Sequence, residues 1–216
     1  MENINYFIFD FDGTLGDTKR TIVNCFLKTI KESGKEERKE NEIVNTIGKS
    51  LEESFKILYP EINESECLSL ADLYRKYYDE VATKSLVAYP HLEEVFSSLK
   101  KMDKKIAIFS SRRVPMIKRL ATALKIDKYV DAYVGNDLIK NGKPDPEGVY
   151  LTLKLLDAKK DESIMIGDTY FDIKMANNAK IKSIFANYGY GNISSLKEAK
   201  FDYQISDLKE ILDLKL

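Results

Sequence analysis

The sequence predicts an α/β fold: a doubly wound parallel sheet carrying a helical insertion. Three observations predict it. An apolar run from Tyr6 to Phe9 ends abruptly in Asp10-Phe11-Asp12-Gly13, the pattern of a strand buried on both faces that stops at a polar edge. From residue 86 onward, short apolar runs alternate with amphipathic helical stretches, which implies a parallel sheet with right-handed crossovers. Between them, residues 17–85 read as consecutive helices with no strand. One crossover needs far less helix than that. The simplest organisation is a core of residues 1–15 and 86–216 with an insertion at 16–85.

The elements follow in order. Thr18 to Ser33 carries apolar residues at 22, 23, 26, 27 and 30, a helical stripe closed by Gly34. The charged stretch Lys35 to Glu42 reads as a solvated link or helix end. Ser50 with Glu53 forms a capping box for a short helix whose face is Leu51, Phe55 and Leu58. Glu64 to Ala82 is a longer helix with Leu68, Ala71, Tyr74 and Tyr78 at helical spacing, and its tyrosines read as packing. Pro90 is placed in the first turn of the next helix, with Leu92, Val95, Phe96 and Leu99 inward. Lys105 to Ser110 is a buried strand, Pro115 opens a helix, and Tyr129 to Val134 is a strand. Pro146 to Leu156 is a helix, Ser163 to Gly167 a strand, Phe171 to Ala179 a helix and Ile181 to Ala186 a strand. Tyr203 to Ile205 is a short edge strand and Leu208 to Leu212 a closing helix.

Composition narrows the functions. With 34 basic against 35 acidic residues in 216, no global field favours nucleic acid or an anionic membrane. No run approaches the roughly 18 apolar residues of a membrane helix, and Met1 to Tyr6 has no leader pattern. Cys25 and Cys67 lack metal spacing and read as buried thiols in a reducing cytosol, so a cytoplasmic protein is expected. His91 is the only histidine, which argues against a His-based triad or metal site.

The chemistry gathers at strand ends. Asp10 sits where a parallel sheet binds its ligands, and strand geometry starts Asp10 and Asp12 on one side. Asp-x-Asp-Gly is also an ordinary turn; the alternative is a Mg²⁺ site with a nucleophilic carboxylate. An anionic phosphate ester repels a bare carboxylate, and a divalent cation and an amine remove that barrier. Ser110 and Ser111 follow one strand, and Lys143 precedes Pro144 at a helix entry that Asp145 can cap. Asp168 ends another strand, and Asp172 lies in the first turn of the following helix, where the dipole favours an acid in any case.

The order Asp-x-Asp-Gly-Thr, strand-Ser-Ser, Lys-Pro and Gly-Asp-Thr-x-x-Asp resembles the haloacid dehalogenase-like hydrolase superfamily, in its phosphoglycolate phosphatase-like branch. The resemblance spans essentially the whole chain. It implies a Rossmann-like core, a helical cap domain at 16–85 that closes over the site, and a Mg²⁺-dependent phosphatase acting on a small-molecule phosphate ester. By position it implies Asp10 as the nucleophile that takes the phosphoryl group. Asp12 would be the acid and base, its backbone carbonyl also binding Mg²⁺. Ser110 and Lys143 would hold phosphate. Asp168 and Asp172 would join Asp10 at the metal. Thr14 would support the turn and lie at the substrate side with Ser111.

Arg112 and Arg113 stand where lysine is frequent in that family; they either reach a substrate anion or face solvent, and solvent is the favoured reading. Gly16 replaces a larger apolar residue, and His91 a common glycine. Arg20 and Lys49 are candidate contacts for a second anionic group, which would favour phosphoglycolate, pyrophosphate or a nucleotide. A sugar-phosphate mutase of the β-phosphoglucomutase type is disfavoured because its cap histidine is replaced by the stretch Lys19-Arg20-Thr21-Ile22. A catalytically silent interaction module predicts a broken acid set, which this sequence does not have.

Overall fold

The computed structural model describes residues 4–191, 193–196 and 198–214, so the outermost residues of the expected core, 1–3 and 215–216, lie outside them. The chain starts with β1 (Tyr6–Phe9) and turns into a two-residue strand β2 (Gly16–Asp17). It then runs through α1 (Lys19–Glu32), α2 (Glu40–Val44), α3 (Leu51–Leu58) and α4 (Glu64–Val81) before returning along β3 (Val87–Ala88). The alternating part follows: α5 (Leu92–Lys101), β4 (Lys105–Phe109), α6 (Val114–Ala123), β5 (Ala132–Val134) and α7 (Glu147–Leu156). It ends with β6 (Ser163–Gly167), α8 (Tyr170–Ala179), β7 (Lys182–Ala186) and β8 (Tyr203–Ile205).

Six strands form one parallel sheet in the order β5-β4-β1-β6-β7-β8. The three central strands read as unbroken apolar runs because both faces are covered. Phe7, Ile8, Phe9, Ile106, Ile108, Phe109, Ile164, Met165 and Ile166 are all fully buried. The register aligns Phe9 with Ile108 on one side and Ile166 on the other. The residues that follow these strands therefore emerge at one edge. The strand order also reverses at β1, the place where open α/β sheets bind ligands.

The four helices α1–α4 pack around Phe26, whose ring lies 4.9 Å from Phe55 and 4.8 Å from Tyr74. Ser50 and Glu53 form the expected capping box, and Gly34 ends α1 with a positive φ of 69°. Several expectations change. Leu68 is exposed, so the inward face of α4 runs through Cys67, Leu70, Ala71, Tyr74, Tyr77 and Tyr78 instead. Pro90 lies outside the first turn of α5, because the chain first passes through His91 at φ 61°. Asp127–Tyr129 is a separate 3-10 turn, so the strand begins only at Ala132, and Leu208–Leu212 is also 3-10. Leu27 is exposed, leaving Ile22, Val23, Phe26 and Ile30 as the inward stripe of α1. The insertion is not bounded by bare loops. Gly16 pairs with Ala88 and Asp17 with Val87 in an antiparallel ladder that clasps the two chain passages. Cys25 and Cys67 are buried free thiols. Among the described residues no helix is long and apolar enough to cross a membrane.

Candidate active site

The deepest part of the site is an acid cluster at the sheet edge. Asp10 still belongs to the ladder, its N–H donating to Ile166 O at 2.8 Å. Lys143 Nζ donates to Asp10 Oδ1 at 2.5 Å and to Asp172 Oδ1 at 2.7 Å. The lysine is held on the loop before α7, where Asp145 Oδ1 accepts from Glu147 N at 2.9 Å although the cap position itself is Pro146. Asp172 is fixed by a capping box, its Oδ2 accepting from Thr169 N at 3.0 Å and Thr169 Oγ1 at 2.6 Å. Asp168 accepts from Thr14 Oγ1 at 3.0 Å and from Tyr190 N at 2.7 Å. Gly13 is required twice over. Its φ is +89°, and a Cβ there would lie 2.2 Å from Asp168 Oδ2.

Asp10, Asp168, Asp172 and Lys143 are all buried. Burial raises the Asp10 carboxyl, Lys143 pulls it back, and Asp172 and Asp12 raise it again, to about 7. Burial, then Asp172 and Asp10, push the Asp168 carboxyl well above its ordinary value. Burial would lower the Lys143 ammonium, but Asp10 and Asp172 reverse that and hold it protonated. Oxygens of Asp10, Asp168 and Asp172 lie within 4.8 Å of one another. Three carboxyl groups gather around one ammonium, two more acids than it can neutralise. An all-oxygen donor set with that excess fits a hard divalent cation such as Mg²⁺. Asp12, expected at the metal through its backbone carbonyl, turns its carboxylate away from this cluster. Its carbonyl oxygen takes no backbone hydrogen bond among the described residues, since the local bridge runs through Gly13 N to Gly16 O and Gly16 N to Phe11 O.

The Asp12 carboxylate forms a second, shallower centre. Arg112 grips it with two donors, Nε to Oδ2 at 2.7 Å and Nη2 to Oδ1 at 2.8 Å. Thr18 Oγ1 donates to the same Oδ1 at 2.5 Å. The guanidinium also lies 4.1 Å over the Tyr78 ring of α4 and donates to its hydroxyl at 2.8 Å. Arg112 therefore does not face solvent: its side chain is 12% exposed, because pairing with Asp12 and stacking on an aromatic outweigh its desolvation. Arg113 is exposed, as expected.

Asp10, Asp12, Ser110, Ser111, Lys143, Arg112, Lys49 and Tyr78 all line one cleft of about 1600 Å³ between the sheet edge and the helices of the insertion. Ser110 is buried at the end of β4, its Oγ accepting from Arg112 N at 3.3 Å. Ser111 Oγ donates to Gly48 O at 2.6 Å, tying this loop to the insertion. Lys49 Nζ sits 4.4 Å over the Phe171 ring.

Two expected substrate contacts fail. Thr14 is fully buried with its hydroxyl on Asp168 and is absent from the cleft wall, so it supports an acid instead of touching a ligand. Arg20 is exposed on α1 beside Asp17 and Glu40, in a separate depression outside the cleft. Its helical position turns it away from the face that packs inward.

Sequence reasoning missed Thr18, the role of Tyr78, and the loop Tyr188-Gly189-Tyr190-Gly191. That loop follows β7 at the same sheet edge as the acids, and two glycines between aromatics were the available signal.

The family model described as haloacid dehalogenase-like hydrolase matches residues 7–186. Pyrophosphatase PpaX of Listeria innocua is 31% identical over 210 residues, 97% of this chain and 95% of that protein. A solved haloacid dehalogenase-like hydrolase from Bacteroides fragilis superposes with a TM-score of 0.91 at 29% identity, covering 96% of this chain and 99% of its own. A predicted phosphatase from Clostridium acetobutylicum gives a TM-score of 0.87 at 27% identity, covering 98% and 99%.

Proposed function

The chain belongs to the haloacid dehalogenase-like hydrolase family, and from that premise we propose that this phosphatase is Mg²⁺-dependent and works through a phosphoryl group carried on Asp10. The single observation that carries this reading is the buried cluster of Asp10, Asp168 and Asp172 around Lys143. Asp10, Asp168, Asp172 and the Asp12 carbonyl would hold the ion. Mg²⁺, when bound, supplies positive charge that lets a carboxylate and a phosphate approach each other.

The chain's own groups supply the rest. Asp10 attacks phosphorus in line with the ester oxygen, and the bond from phosphorus to that oxygen breaks. Asp12 gives the departing oxygen its proton. A water then attacks the aspartyl-phosphate, Asp12 takes its proton, and inorganic phosphate leaves with Asp10 restored. Lys143 orients Asp10 and Ser110 offers a donor to phosphate oxygens. Residues 16–85 act as a cap over a core of 1–15 and 86–216. Cap closure excludes bulk water, and opening admits substrate.

The substrate is a small phosphorylated metabolite with a second anionic group, of which phosphoglycolate, pyrophosphate and a nucleotide are the candidates. Arg112 and Lys49 on the cleft wall and the PpaX relatives support that class. The test is hydrolysis of an aryl phosphate and of pyrophosphate with and without Mg²⁺, beside Asp10→Asn. Activity should depend on Mg²⁺ and fall at least about a thousandfold in the variant, the usual scale for losing a nucleophile. Full activity of Asp10→Asn ends the reading.

A further inference from the structure

The loop after β7 lies flush against the acid cluster. A Cβ at Gly189 would sit 2.3 Å from Asp168 Cβ, and one at Gly191 would sit 2.0 Å from Asp168 O. Tyr188 donates its hydroxyl to Thr14 O at 2.9 Å. Tyr190 donates its backbone N–H to Asp168 Oδ2 at 2.7 Å. From that anchored backbone the Tyr190 side chain reaches the start of α1, on the other side of the Asp10–Gly13 turn. Its hydroxyl oxygen accepts from Thr18 N at 2.5 Å and Lys19 N at 2.8 Å. Asp17 Oδ1 offers Lys19 N only a 3.4 Å contact.

These amides belong to a helix start, where N–H groups have no partner within the helix. A capping residue's own hydroxyl ordinarily serves the amides two and three residues on, here Arg20 and Thr21. Thr18 does not do so. Its backbone is at φ −113°, ψ −2°, not extended, and its side chain makes no capping bond. Its hydroxyl is turned to Asp12 instead. A phenol from 172 residues away takes the first two amides and fixes the Thr18 backbone outside the cap conformation, with its hydroxyl on the carboxylate.

We propose that Tyr190 is a positioning residue for the acid-base step: by taking the amides of Thr18 and Lys19 it holds Thr18 out of the extended cap conformation and so directs the Thr18 hydroxyl onto Asp12. The inference rests on the phosphatase reading for the meaning of Asp12. Without the phenol oxygen, Thr18 relaxes to the extended conformation of an ordinary cap. Its hydroxyl then turns to the amides of Arg20 or Thr21, and Asp12 keeps Arg112 but loses its second donor. Nothing in this chain of contacts alters how phosphate itself is bound. The effect therefore falls on proton delivery to the leaving group.

The test compares kcat/KM for 4-nitrophenyl phosphate and phenyl phosphate in Mg²⁺, because the more basic phenol needs the proton more. Tyr190→Phe keeps the ring and removes the oxygen. It should cost about tenfold on phenyl phosphate and under about threefold on the nitrophenyl ester, a fraction of the roughly hundredfold or more that an acid-base group contributes. Thr18→Val should reproduce the pattern, Thr18→Ser should match the wild type, and the double variant Tyr190→Phe/Thr18→Val should lose no more than either single change. A crystal structure of Tyr190→Phe should show Thr18 Oγ1 off Asp12. Equal losses on both esters, additive losses, or Thr18 still on Asp12 overturn the proposal. If Tyr190→Phe does not fold, the contrast between Thr18→Val and Thr18→Ser decides it: identical leaving-group dependence overturns it. A wild-type chain inert towards both esters overturns the phosphatase reading itself. An active wild type with a uniform loss in Tyr190→Phe overturns only the role of Tyr190.

Discussion

The two acids of the first turn, Asp10 and Asp12, are separated by one residue and live in opposite electrostatic settings. Asp10 is buried among two further carboxylates with a single lysine between them. Asp12 is matched one to one by Arg112, and that arginine leans on Tyr78 of α4. The deep centre carries an excess of like charge in low dielectric, which is costly unless a cation joins it. The shallow centre is balanced and spans the cleft to the helical insertion. The difference teaches that adjacent residues of one motif are prepared for different work by their surroundings. One setting suits a cation; the other holds a carboxylate between partners from both walls of the cleft.

The largest blow to that contrast is Lys143→Met. It leaves three buried acids without an ammonium, and it should cost activity about a thousandfold and stability about 3 kcal/mol. The stability loss should shrink when Mg²⁺ saturates the protein, because the ion takes over part of the neutralisation. An equal loss with and without Mg²⁺, measured by urea unfolding, would separate Lys143 from the ion site.

Asp168→Asn sharpens the comparison from the other side. Removing one like charge should leave the metal-free protein melting no lower than the wild type. The wild type should gain stability as Mg²⁺ rises, by about 2.7 kcal/mol at a hundred times the dissociation constant, and the variant should gain almost none. A normal Mg²⁺ response in Asp168→Asn would remove that residue from the ion site.

The smallest effects belong to the shallow centre. Arg112→Ala leaves the largely buried Asp12 carboxylate without its cation and should lower stability by about 2 kcal/mol. It should raise the KM for an anionic substrate such as pyrophosphate about tenfold, one charged contact's worth. Arg20→Ala should change neither quantity, since Arg20 lies outside the cleft. Michaelis constants for both variants check this, and a raised KM in Arg20→Ala alone would reverse the assignment.

Much of this was legible beforehand for a local reason. Strands buried on both faces need unbroken apolar runs, so the runs ending at Phe9, Phe109 and Gly167 announce themselves. Acids placed at once after such runs share one sheet edge, whatever the loops between them do. The Arg112–Asp12 pair was not legible because an arginine beside a turn has no sequence mark that distinguishes solvent from a partner 100 residues away. Arg20 was misread because a cation near the motif in sequence is easily taken for one near it in space. Pro90 and Leu68 were misjudged by one turn or less, since helix phase and start depend on what the helix packs against.

The sequence by itself determined the alternation of strands and helices, the run of helices after the first strand, and which acids, lysine and serine end at one sheet edge. Those follow from periodicity and from the burial cost of charge, which act locally. Tertiary structure alone decided which acid meets which base, that Thr14 supports Asp168, and that Tyr190 caps a helix begun 172 residues earlier. Hydrogen bonds and ion pairs between distant segments require both partners to arrive at one point with the right orientation. Only the assembled sheet, with its two glycine turns pressed against Asp168, fixes where that point is.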